Sequence, residues 1–404
     1  SWFCALRVER AASRKGKRSW VAVSCAIDIA LIGFFKYSGL ICSVFGEVPE
    51  FIANIALPIG ISFYTFQILS YTVDVARGTT KAQRNFIDLA TYISLFPQLI
   101  AGPIVRYTDV AAALHARSHS AEAVGSGALR FSIGLGKKVL LANLLGELCA
   151  ALKTAEASVL GSWGYAAALC LQIYFDFSGY SDMAIGLGMM LGFHFPENFN
   201  YPFISQSATE FWRRWHITLG SWFRDYVYIP LGGSRAGAWK QVRNILIVWC
   251  LTGFWHGASW NFIAWGLFFG VLLIAEKLLL GHALEKMPRV LRHLYLLLAA
   301  LVSFLIFDAA SLPEAGRAIA GLFGGAPFTS AAGLYSLKSY FVILLLAVVG
   351  ATPLPKAAVA RISATRAGGK LVSILTPLFM AALLLVSTAY LVDGSFNPFL
   401  YFRF

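Results

Sequence analysis

"NILIVWCLTGFWHGASWNFIAWGLFFGVLLIAE" (residues 244–276) runs from Asn244 to Ala275 without one charged side chain. A membrane-spanning helix needs about 20 mostly apolar residues at 1.5 Å each. This stretch offers two apolar runs, near 244–255 and 260–280, with His256 between them. An ionisable residue is expensive in such surroundings, so function is the first explanation for it. Gly253 and Gly257 form a G-x-x-x-G step, the spacing that lets another helix approach closely. An enclosed imidazole is cheapest when neutral, and a neutral imidazole can accept a proton. The plainer alternative is a core histidine bonded to a backbone carbonyl.

The rest of the chain extends the pattern. Of its 404 residues 58% are hydrophobic and 13% charged, against roughly 25% charged in soluble domains. "AIDIALIGFF" (26–35), "YFVILLLAVVG" (340–350) and "PLFMAALLLVSTAYLV" (377–392) lie in further long apolar stretches. No barrel-like alternation is visible, so backbone groups in lipid must be satisfied within helices. The expectation is an all-α polytopic membrane protein with roughly ten membrane-embedded helices, some re-entrant or interfacial, forming one domain over 1–404.

The net charge of +13 argues for membrane orientation rather than nucleic acid, because the charges sit between the apolar runs. Basic segments at 7–19, 76–84, 285–293 and 356–370 alternate with neutral or acidic ones at 46–50 and 308–316. That is the positive-inside pattern. It makes 7–19 a cytoplasmic basic loop and the tail 393–404 extracytoplasmic. The chain opens on the basic segment, and helices upstream of it are expected. Six cysteines without paired spacing read as buried free thiols.

Along the chain, residues 20–75 read as two spans turning at 46–50, with Pro58 and Gly60 kinking the second. "LFPQLIAGPIVRY" (95–107) is either a re-entrant loop or a kinked span. Lys137 and Lys138 divide the run from Val124 to Leu152, which implies a helix near the cytoplasmic face whose lysines reach headgroups. Residues 160–193 form a long helix, 194–243 an amphipathic interfacial segment, and three spans follow the pair around His256. No internal repeat of the transporter kind appears.

A second histidine lies in "SATEFWRRWHITLGSWFRDYVYIPLGG" (207–233). Ser207 and Glu210 fit a capping box. Phe211, Trp215, Leu219 and Trp222 then recur at helical steps as one aromatic face, with Arg213, His216 and Gly220 on a neighbouring face and Arg224 one turn on. Such a helix belongs at an interface, where its arginines meet either lipid phosphates or a ligand and its histidine is either merely polar or functional. In "QIYFDFSGYSDMAIG" (172–186), Asp176 and Asp182 are acids in apolar surroundings that pair or line a path. No metal-ligand spacing, nucleophile elbow or phosphate loop is present.

Together "GPIVR" (102–106), "YFDFSGYSDMAIGLG" (174–188), "PENFNYPFISQSATEFWRRWHITLGSWFRDYVYIPLGG" (196–233), "WHGASWNFIAWG" (255–266) and the ending "NPFLYFRF" (397–404) resemble the membrane-bound O-acyltransferase family, in its bacterial alginate O-acetyltransferase branch. The resemblance implies an enzyme that moves an acyl group, expected to be acetyl, from a cytoplasmic thioester to a polysaccharide hydroxyl outside the membrane. It implies His256 as the catalytic histidine and His216 as a supporting one. Arg213, Arg214, Arg224, Asp176, Asp182 and Trp255 are the candidates for donor or substrate binding. The donor is acetyl-coenzyme A or an acyl carrier thioester, with no bound cofactor or metal. Membrane lipids and a periplasmic SGNH-type acetyltransferase are the implied partners. Two rival readings are a transporter or flippase using Asp176, Asp182 and His256 as a proton relay, and a noncatalytic scaffold.

Overall fold

The computed structural model describes residues 1–394 apart from positions 101 and 236. The family-like ending at 397–404 therefore lies outside the described residues, as does most of the tail read as extracytoplasmic. Among the described residues every regular element is a helix. Four are long and apolar enough to cross a membrane: Arg14–Phe45, Trp260–Lys286, Arg289–Asp308 and Arg366–Asp393. The bent pair Ala331–Ser339 and Phe341–Gly350 makes a fifth if counted as one span. The other helices are too short, broken or polar to meet that test, so the expected count of ten is not reached on length and composition.

The apolar residues point the wrong way for water. On Arg366–Asp393, Leu385 is 73% exposed and Ile374 63%. A helix that turns leucines outward is solvated by lipid tails, where only internally satisfied backbone is stable. This is a multi-pass membrane protein.

We label the helices that position the site α1 (Arg14–Phe45), α2 (Ile61–Arg77), α3 (Ala121–Gly136), α4 (Val159–Met190), α5 (Ala208–Arg214), α6 (Ile217–Phe223), α7 (Ala238–His256), α8 (Trp260–Ala275) and α9 (Arg289–Asp308). The segment 7–19, read as a loop, is helical on both sides of a short break. Trp2–Arg10 ends at Ala11, and Ser13 starts α1 by accepting a hydrogen bond from the Gly16 amide. Pro58 and Gly60 do not kink a helix but precede one. Gly60 has a left-handed backbone (φ 79°) at the N-cap of α2, a conformation glycine adopts without steric cost.

Between "LFPQ" and Arg106 the chain is broken: Phe86–Ser94 and Phe96–Leu99 are short helices and 103–106 is irregular. Such backbone must be satisfied by protein, and it is. Tyr92 donates to the Val105 carbonyl at 2.8 Å, and the Ile104 amide donates to Thr218 Oγ1 at 3.0 Å. The described part of the stretch is thus broken rather than one kinked helix.

Small residues set the closest crossings. Gly253 on α7 meets the Phe262 carbonyl on α8, and Gly266 on α8 meets the Trp249 carbonyl on α7, each too closely for a Cβ. The G-x-x-x-G step thus brings in the next helix of the hairpin. α3 and α4 pack likewise through Gly134 and Gly179. Beyond Gly136, Lys137 and Lys138 turn inward rather than toward headgroups. Lys137 Nζ lies 2.6 Å from Asp182 and Lys138 Nζ 2.5 Å from Asp176. Asp176 is buried and Asp182 half-buried, and carboxylates withdrawn from water need cationic partners. All six cysteines are free, but only Cys4, Cys149 and Cys170 are buried.

Candidate active site

His256 is the last residue of α7. Thirteen residues separate it from Arg243, a rise of about 20 Å, so the ring lies far from the charged start of its helix. It is 6% exposed. Trp255 and Trp265 present rings 4.9 Å from it, edge to face, and Phe307 of α9 closes the third side at 5.3 Å. Such rings exclude water while leaving the nitrogens as the polar atoms of the cage.

A helix that ends inside a protein leaves carbonyls that need donors. Here they come from α1. Lys36 Nζ donates to the Trp255 carbonyl at 2.6 Å and to the His256 carbonyl at 3.2 Å, and Tyr37 Oη donates to the Phe254 carbonyl. Lys36 also reaches Ser62 Oγ at 3.3 Å. A cation at the negative end of the helix dipole is favourable, more so where water is excluded. Trp255 is fixed by a hydrogen bond from Nε1 to the Ser62 carbonyl at 3.1 Å and by stacking on Phe66 at 5.3 Å. The catalytic candidate therefore sits where α1, α2, α7, α8 and α9 converge.

His216 corrects the sequence expectation most sharply. The aromatic-faced helix from Ser207 is not continuous: α5 stops at Arg214, His216 takes a left-handed backbone (φ 44°, ψ 53°), and α6 restarts at Ile217. That conformation costs a non-glycine residue roughly 1–2 kcal/mol. The surroundings impose it, since the Ile217 amide donates to the Asn198 carbonyl at 3.0 Å and the Asn200 amide to Arg214 at 2.9 Å. His216 is also enclosed by protein rather than set on an outer face of the helix, for it is 1% exposed. Phe211, Trp215, Leu219 and Trp222 are all buried, because a helix break lets side chains from both halves enter the core.

The His216 ring is held by Asn198. Asn198 Oδ1 also accepts from Thr218 Oγ1 at 2.8 Å, and its Nδ2 donates to Ser181 at 3.0 Å. His216 Nδ1, 3.0 Å from that same oxygen, must then be the donor. A neutral ring so oriented carries its lone pair on Nε2, which has no hydrogen-bond partner among the described residues. Trp255 lies between the histidines, its ring 6.1 Å from His216 and 4.9 Å from His256.

The other candidates scatter. Arg213 lines two cavities of about 550 and 520 Å³ beside α5, and Thr252, one turn before His256, lines the second. Arg214 is paired with Glu210 at 3.0 Å, and Arg224 with Asp225 at 2.7 Å. Asp182 is bound by Lys137 and by Arg130 at 2.9 Å, and Asp176 by Lys138. These carboxylates fasten α4 to its neighbours, which leaves the proton-relay reading without an observation in its favour. A cavity of about 430 Å³ lined by Arg130, Lys137, Ser178, Asp182 and Asn198 approaches the His216 side.

Sequence reasoning missed Lys36 and Asn198. Lys36 carried a signal, a cation inside an apolar run, and an intramembrane cation needs a partner. Asn198 carried none, for its role depends on a strained backbone eighteen residues away.

The chain that carries this site matches a known family. The membrane-bound O-acyltransferase family model covers residues 62–312, and the chain belongs to that family. It is similar to the probable alginate O-acetylase of Azotobacter vinelandii, 39% identical over all of this chain and 89% of that protein. The peptidoglycan O-acetyltransferase of Helicobacter pylori is 32% identical over 80% of this chain and 68% of that protein. The teichoic acid D-alanyltransferase of Bacillus subtilis is 30% identical over 54% and 59%. The chain is an O-acyltransferase of the alginate O-acetylase branch.

Proposed function

We propose that this enzyme takes an acetyl group from a cytoplasmic thioester, acetyl-coenzyme A or an acyl carrier, and delivers it across the inner membrane to a polysaccharide hydroxyl, directly or through a periplasmic SGNH-type partner. Neutral His256 removes the proton of the acceptor hydroxyl as its oxygen attacks the thioester carbonyl. The new C–O bond forms, the C–S bond breaks, and the proton passes from the imidazole to the departing sulfur. General-base assistance of this kind contributes typically 10²- to 10⁴-fold. Helical enclosure keeps water from the thioester.

The observation that supports this reading most is the His256 cage itself: an imidazole walled by three aromatic rings, with the carbonyls of its helix end held by Lys36. His216, aimed by Asn198, shapes the neighbouring wall. The relatives named as acting on alginate and peptidoglycan supply the acceptor class.

The test is transfer in inverted membrane vesicles carrying the full chain and its periplasmic partner. Labelled acetyl thioester added to the exposed cytoplasmic face is expected to acetylate polymer trapped in the lumen. Label that stays outside, or substrate that crosses without esterification, overturns the proposal.

A further inference from the structure

The largest of the cavities described lies away from both histidines, where α1 begins, α2 ends and the short helix Arg224–Tyr228 gives way to a turn. Its volume is about 890 Å³. Arg14, Lys17 and Arg18 line one wall from the first turns of α1. Their spacing of three and four puts them on one helical face. No acidic residue occupies that first turn, although cations at the positive end of a helix dipole are unfavourable and acids would be favoured.

Arg77 and Arg106 form the opposite wall. Each guanidinium lies over the Tyr226 ring, at 5.0 and 5.2 Å from its centroid. Arg77 Nη2 donates to the Asp225 carbonyl at 2.9 Å, and Arg106 pairs with the Asp225 carboxylate at 2.7 Å. The two carboxylates in the lining are thus engaged, Asp225 by arginines and Asp74 by the Tyr226 hydroxyl at 2.7 Å. Five cations against two carboxylates leave the cavity with three positive charges in excess. Arg77 and Arg106, fixed by stacking and bonding, give the cavity one preorganised cationic wall, which the cations of α1 face.

Val21, Ala22 and Ile229 share the lining, and α1 continues from it into an apolar span. The cavity therefore opens where membrane meets water. We propose that it is a phosphate-binding site, in which Arg14, Lys17, Arg18 and Arg77 hold a phosphate ester while the apolar lining receives the chain attached to it. Two molecules carry that chemistry to this boundary: an anionic phospholipid and the phosphate-bearing end of a coenzyme-A donor. The second source rests on the function proposed above; the first does not.

The experiment uses the full chain in nanodiscs of phosphatidylcholine with or without phosphatidylglycerol. Retained lipid is read by native mass spectrometry, and adenosine 3′,5′-bisphosphate serves as a soluble probe by calorimetry. The variant Arg14→Gln/Lys17→Gln/Arg18→Gln is expected to weaken one of the two probes by on the order of 10-fold or more, with binding by the wild type falling as salt is raised. Loss of phosphatidylglycerol retention with unchanged bisphosphate binding assigns the lipid. Loss of bisphosphate binding, with a raised KM for the thioester and unchanged kcat, assigns the donor. Arg77→Gln is the second variant should the triple one not fold. Both probes bound within twofold of wild type by a folded variant overturns the site, while vesicle transfer by that variant reports separately on the function.

Discussion

The two histidines are held in opposite ways. At His256 the backbone is ordinary helix, and what fixes it is external: a lysine from α1 on its terminal carbonyls and a glycine-packed hairpin behind it. At His216 the backbone itself is strained and the ring is fixed by one amide side chain. The first arrangement sets the ring within its aromatic cage from the backbone side. The second spends Nδ1 on orientation, which suits a residue that shapes a passage.

The contrast breaks first at His256. His256→Ala or His256→Asn is expected to abolish polymer acetylation, a loss on the order of 10²- to 10⁴-fold or more, with folded protein still inserted. Near-normal acetylation by that protein would end the assignment. At His216 the expected defect is partial, and full activity of His216→Ala would leave the residue a structural role only.

Lys36 tests how much of the site is built by α1. Lys36→Met removes the donor from two buried carbonyls, and leaving such groups unsatisfied costs about 1–3 kcal/mol each. The expected result is a fall in kcat larger than any rise in KM, partly restored by Lys36→Arg. A variant that lowers thermal stability yet keeps kcat would show the contact to be merely structural.

Asn198 sharpens the other side. Asn198→Ala should reproduce the His216→Ala defect, and the double variant should be no worse than either, because both remove one unit. Additive losses, read from acetylation rates, would separate the two residues.

The smallest effect concerns backbone alone. Since His216 sits at φ 44°, His216→Gly should be more stable than His216→Ala by roughly 1 kcal/mol. Equal unfolding midpoints would mean that the break relaxes once the imidazole is gone.

Much was legible in the chain. The uncharged run 244–275 and the glycine steps gave the hairpin and singled out His256. The capping pair at Ser207 and Glu210 gave the start of α5, where Ser207 Oγ accepts from the Glu210 amide at 3.0 Å. The periodicity after it misled, because a helical face persists in sequence even where the backbone turns between its halves. Lys137 and Lys138 misled for a related reason: a lysine near a span end can reach lipid or a buried acid, and only the placement of Asp176 and Asp182 selects between them.

What the sequence determined by itself is the solvent: too few charges to be dissolved, charges gathered between apolar runs, and one imidazole where charge is costly. Those are properties of composition and order, fixed before any fold exists. What only the tertiary structure decided is which partners meet, such as Lys36 with the end of α7, Asn198 with His216, and five cations around one cavity. Such meetings depend on distances across more than a hundred residues in several cases, and no local pattern encodes a distance of that kind.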